Sequence, residues 1–216
     1  MITQAPDGDQ PLDLHNALRV VKSAEDTARR ELRGNEALLY LVWGLSWLLG
    51  FGTLHGSRFG WLPLSHGPAL AIFGGFLLIA IVITIVTTGR YSRGIRGHSP
   101  FLGAMYGVAW ALGFLVMGTL SGIIANVVDD FWVRGMLING IAILIVGLLY
   151  ITGGTTFNDK TQSLMGVWFL VINMVALLSG SEHYLTVFFI FGSGGFLVGA
   201  AVETVRRRQQ RQLTHA

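Results

Sequence analysis

Cysteine is absent from this chain of 216 residues, which excludes disulfides, thiolate nucleophiles and cysteine-ligated metals together. Charge is scarce as well. Only 12 % of residues are charged against 52 % hydrophobic, and the mean hydropathy is +0.57, too apolar for an ordinary soluble domain. Proline numbers 5 against 29 glycines. Glycine at that level suits membrane helices, where small residues let backbones approach closely. The chain has no G-x-x-x-x-G-K-[ST] loop, no H-E-x-x-H and no G-x-S-x-G, so nucleotide hydrolysis, zinc proteolysis and serine hydrolysis lack their usual residues. No Asp, Glu, Lys or Arg falls near the middle of an apolar segment, which argues against a proton-coupled pump or antiporter acting alone.

What is present is a series of apolar segments. Six of them, at about 36–55, 68–88, 101–125, 133–152, 163–180 and 184–204, approach the ~20 residues needed to cross a hydrocarbon core of ~30 Å. The expected architecture is an all-α integral membrane protein of six transmembrane helices, with a tight break around 180–183. It divides into a tail with an amphipathic helix at 1–35, a membrane domain at 36–205 and a basic tail at 206–216. Leu14, Leu18, Val21, Ala28 and Leu32 recur at helical spacing in the first tail, with Arg19, Lys22, Arg29, Arg30 and Arg33 largely elsewhere. Such a helix lies in the headgroup layer or docks on a partner. The tail has no run of signal-peptide type, so the first span is expected to serve as the targeting signal.

Basic residues set the orientation. Besides the tail, they sit at Arg90, Arg93, Arg96, Lys160, Arg206, Arg207, Arg208 and Arg211, all on one side of a six-span arrangement, and only Arg58 and Arg134 fall on the other. Both termini are therefore expected in the cytoplasm. The layout is similar to small bacterial membrane proteins of permease type, a resemblance that implies the plasma (bacterial inner) membrane.

The chain also echoes itself. GLSWLLGF at 44–51 returns as GVAWALGF at 107–114, and GGFLLIA at 74–80 as GGFLVGA at 194–200. Three repeated hairpins, about 36–98, 101–160 and 163–212, would produce this spacing. Small residues recur four apart at Gly103/Gly107, Gly118/Gly122 and Gly195/Gly199, a pattern for close helix packing within the chain or in a homo-oligomer.

The deep polar residues are neutral. Ser46, Asn139, Asn173 and Ser193 either line a path or hydrogen-bond between helices, the two asparagines to one another. His55, His66 and His183 share one side with Asp129, Asp130 and Glu182, but their spacing is no metal signature, and neither a metal nor another cofactor is expected. Trp61, Trp132 and Tyr184 read as interfacial anchors and Glu203 as a local ion pair with Arg206 or Arg207. Arg90, Arg93, Arg96, Arg206, Arg207 and Arg208 suit anionic lipid or a cytoplasmic partner such as an ATPase subunit or a regulator. Their placement flanking apolar spans argues against nucleic acid. The leading functional expectation is a permease-like transport component without its own energy-coupling domain. The alternative is a membrane sensor or regulatory scaffold, and a membrane-embedded enzyme comes last.

Overall fold

The structure is a computed structural model that describes residues 16–20, 36–91 and 100–213. The chain divides into two units, Met1–Asn35 and Glu36–Ala216. In the first, residues 16–20 are helical, with Arg19 Nη2 donating to Asn16 Oδ1 at 2.8 Å. The rest of the expected amphipathic helix, and Arg93 and Arg96, lie outside the described residues.

The second unit is all-helical among the described residues. Its elements are α1 (Glu36–Phe59), α2 (His66–Tyr91), α3 (Pro100–Val127), α4 (Phe131–Thr156), α5 (Lys160–Leu178), α6 (Gly180–Val187), a π-helical turn (Phe188–Gly192) and α7 (Ser193–Leu213). Six helices are long and apolar enough to cross a membrane, the sixth running through α6, the π turn and α7 as Gly180–Arg206. This is a multi-pass membrane architecture. Several spans begin earlier than the apolar runs because capping residues extend them. Asp130 accepts from Val133 N at 2.7 Å and starts α4, while Asp159 accepts from Thr161 N and Gln162 N at 3.0 and 3.1 Å and starts α5. The break before the sixth span is tighter than 180–183. Ser179 closes α5 and Gly180, at φ +74°, turns the chain straight into α6.

Packing follows a row rather than chain order. α2 packs chiefly on α1, α1 on α7, the sixth span on α5, α5 on α4, and α4 on α3. The centre of the row is a cluster of interlocked rings. Trp47 of α1 lies 5.2 Å from Phe169, 5.9 Å from Phe188 and 5.0 Å from Phe196 between centroids, and Phe51 stacks on Phe188 at 5.3 Å. The π turn contributes to this fit by widening the helix at Gly192, where the Trp47 and Phe188 rings come close.

The two related octapeptides are not equivalent in packing. Gly44 lies against Leu197 and Phe196 of α7, whereas no other helix among the described residues comes within 4 Å of a Cβ position at Gly107. Trp47 is 4 % exposed, but Phe114, the counterpart of buried Phe51, is 39 % exposed.

Candidate functional site

Two polar sites stand out. Phe59, His66, Val127, Phe131, Leu178 and Gly180 form one end of the bundle, the histidine end, and both sites belong to that half of the second unit.

The first is a hydrogen-bonded chain inside the spans. Asn139 Nδ2 of α4 donates to Tyr184 Oη of α6 at 2.9 Å, Tyr184 Oη donates to Asn173 Oδ1 of α5 at 3.3 Å, and Asn173 Nδ2 donates to Gly140 O at 2.9 Å. The asparagines therefore meet through a tyrosine rather than directly, which corrects the expected Asn139–Asn173 pair. Tyr184 also departs from its expected place as an interfacial anchor. Because α6 starts at Gly180, Tyr184 is already a turn inside the helix and is 2 % exposed. Its hydroxyl is the functional group that sequence reasoning missed. Burial of asparagine is tolerable here because each partner satisfies the next, and unsatisfied amides are costly away from water.

A three-way test follows. Replacing Asn139 and Asn173 by alanine singly and together should show coupling of about 0.5–1.5 kcal/mol in unfolding free energy, the range of interhelical bonds in membranes. Repeating the cycle in Tyr184→Phe should give additive losses. Coupling that survives without the hydroxyl would refute the bridge.

The other deep residues are separate from this chain. Ser46 is buried on α1 and takes no part in it, and Ser193 Oγ donates to Phe189 O of the π turn. Gly195 is where the Trp168 indole crosses α7, with Trp168 Nε1 donating to Phe191 O at 3.2 Å. Gly199 faces Met165 and Tyr40 at ordinary van der Waals distance. Among the described residues, nothing from another helix lies within 4 Å of a Cβ position at Gly103, Gly107, Gly118 or Gly122, so packing of that stripe within the chain is not found there. α3 touches chiefly α4, and these glycines sit away from that contact.

At the opposite end Glu203 is buried and lies 3.8 Å from Arg206, the expected local pair, while Arg206 Nη1 also donates to Thr161 Oγ1 of α5 at 3.0 Å. Arg208 is exposed, and the side chains of Arg90 and Arg207 lie outside the described set.

The second site is a cleft of about 440 Å³ at the histidine end, lined by His55, Arg58, Phe59, Glu182, His183 and Thr186. Its floor is orderly. Trp61 Nε1 donates to His55 Nδ1 at 3.0 Å, so Nδ1 is the unprotonated nitrogen and Nε2 carries the proton directed at Thr186 Oγ1, 3.2 Å away. Arg58 Nη1 donates to Ser181 O at 2.6 Å, and its guanidinium lies 4.8 Å from the Trp132 ring centroid and 5.9 Å from that of Phe59. Trp132 thus carries a cation on its face as well as sitting at the end of its span. His66 belongs to a different group: its Nδ1 is 3.1 Å from Ser57 Oγ and its ring packs on Phe131 and Trp132. Asp130 is spent on the α4 cap. Among the described residues, no three His, Asp or Glu side chains converge as metal ligands.

No family model, curated protein or solved structure matches the chain.

Proposed function

We propose that this chain is a non-catalytic membrane subunit that acts as a regulatory scaffold within a larger assembly. Its setting is the plasma (bacterial inner) membrane, with both termini cytoplasmic. The observation that carries this reading is the filled centre of the bundle. Five aromatic rings occupy the space between α1, α5 and the sixth span, and the asparagines satisfy one another through Tyr184 instead of facing a channel. A polar solute path needs unpaired donors and acceptors along a cavity, whereas a scaffold needs a rigid bundle that displays its ends. The basic residues near the termini then serve a cytoplasmic partner or anionic lipid.

The second reading is a permease-like transport component energised by another polypeptide. It is favoured by the polar chain at membrane depth, since Asn139, Tyr184 and Asn173 are the groups a path would use.

Stoichiometric co-purification from native membranes, paired with solute release from proteoliposomes, separates the two. The scaffold reading expects a soluble regulator in comparable amount and release no faster than from empty vesicles. A nucleotide-hydrolysing subunit in equal amount, or release abolished by Asn173→Ala, overturns it in favour of the permease-like component. The orientation is tested independently by a reporter fused after Ala216, which should be active only in its cytoplasmic form.

A further inference from the structure

The cleft at the histidine end holds a cation and an anion that do not meet. Arg58 and Glu182 both line it, yet no ion pair forms between them. Arg58 is fixed by the Ser181 carbonyl and by the Trp132 and Phe59 rings, contacts that occupy one of its nitrogens and its faces. A guanidinium has five N–H donors, so this arrangement orients it while leaving donors for a ligand. Glu182 is exposed in the first turn of α6.

Opposite charges that line one cleft without pairing complement a ligand that carries both charges a few bonds apart. The balance of donors identifies which group goes where. His183, Thr186 and Arg58 offer N–H and O–H donors to the cleft, and Glu182 is the sole carboxylate among the described residues that line it. Several donors suit an anion with several oxygens, which is phosphate more readily than a small carboxylate. A single carboxylate suits one ammonium. The site also lies where two spans end, α1 at Phe59 and the sixth span at Gly180, which is headgroup depth in a bilayer. Phe59 and Trp61 are about half exposed beside it and offer apolar surface at the level where glycerol and the first acyl carbons lie.

We propose that this cleft binds a phosphate–ammonium zwitterion, the headgroup of an ethanolamine phospholipid, with the phosphate on Arg58 and the ammonium on Glu182. The inference does not depend on whether the chain acts as a scaffold or a permease-like component. The same chemistry is available from a soluble source, free phosphoethanolamine, and the experiment distinguishes the two.

The full chain in maltoside micelles is titrated with dihexanoyl phosphatidylethanolamine, phosphatidylcholine and phosphatidylglycerol and with O-phosphoethanolamine, and affinity is read from the rise in melting temperature. The ethanolamine lipid should bind about tenfold more tightly than the choline lipid, whose quaternary nitrogen cannot donate to Glu182, and more tightly than the glycerol lipid, which lacks a cation; tenfold corresponds to about 1.4 kcal/mol. Glu182→Gln should erase this preference, and Arg58→Gln should weaken all three lipids. Since Arg58 also holds the Ser181 carbonyl, a poorly folded Arg58→Gln leaves Glu182→Gln, at an exposed position, to carry the test alone. O-phosphoethanolamine binding as tightly as the lipid supports the site and assigns it to the soluble source. Equal affinity for all headgroups, or a preference unchanged by Glu182→Gln, overturns the proposal.

Discussion

Gly166→Ala should prevent the membrane domain from folding, and it does so with a single added carbon. A Cβ at Gly166 would stand 2.6 Å from the Gly147 carbonyl oxygen and 2.8 Å from Ile151 N, both backbone atoms of α4 that cannot swing aside. The reciprocal contact, from a Cβ at Gly147 to the Gly166 carbonyl, is 3.2 Å, so α4 and α5 meet backbone to backbone at this crossing. Relief requires the two helices to separate along their length, which disturbs the hydrogen bond from Asn173 to Gly140 O one to two turns away. The expected loss exceeds the ~4–5 kcal/mol that marks an exceptional single substitution. Detergent melting or the yield of monodisperse protein would register it. Gly107→Leu is the comparison: the space around that Cβ is open in the chain, so the melt should stay within about 0.5 kcal/mol of wild type. A normal melt for Gly166→Ala would show that the α4–α5 crossing is looser than its glycines imply, and a large loss for Gly107→Leu would expose a contact with a second copy.

Trp47→Ala should be nearly as damaging. The indole lies among Phe51, Phe169, Phe188 and Phe196, rings drawn from α1, α5, the π turn and α7, so its removal opens a cavity where three segments of the row converge on α1. Large aromatic-to-alanine changes in packed interiors cost about 3–5 kcal/mol. The lower part of that range applies here, because in a bilayer the unfolded side chain contacts lipid rather than water and the loss is one of packing. Trp110→Ala, at the related position of the second octapeptide, should cost less, since its ring neighbours among the described residues are Tyr106, Phe114 and Tyr150, and α3 packs chiefly on α4 alone. Equal losses at the two tryptophans would argue that the repeats are equivalent after all.

The number and type of spans are legible in the sequence because crossing a bilayer requires long apolar runs, and six of them are plain. Their ends are less legible. The capping carboxylates Asp130 and Asp159 extend α4 and α5 past the apolar runs, and Gly180 starts α6 earlier than hydropathy suggests. That shift of one turn is what moves Tyr184 from the interface into the interior. The polar chain was therefore visible in two of its three members, Asn139 and Asn173, while the third was hidden by a boundary. Glycine pairs show the opposite difficulty. Gly195 and the Gly103/Gly107 pair look alike as letters, but only the first has an indole above it. Spacing tells which residues share a helix face and is silent about what that face meets. The cleft was foreshadowed by the grouping of His55, His183, Glu182 and Arg58 on one side, whereas the anchoring of the Arg58 guanidinium on the Ser181 carbonyl depends on how α1 meets α6.

The π-helical turn at Phe188–Gly192 divides the sixth span into two angular phases. An extra residue in one turn advances everything beyond it by about 100° around the axis relative to an unbroken α-helix. Ahead of the turn, Tyr184 addresses Asn139 and Asn173; behind it, Phe196 addresses Trp47 of α1 and Phe169 of α5. In an unbroken α-helix Tyr184 and Phe196 would point about 120° apart, and the turn lets both enter the same core cluster. Lengths of sequence on the two sides are consequently not interchangeable, and losing a single residue between 188 and 192 would unscrew the buried hydroxyl from its amides while leaving hydropathy untouched.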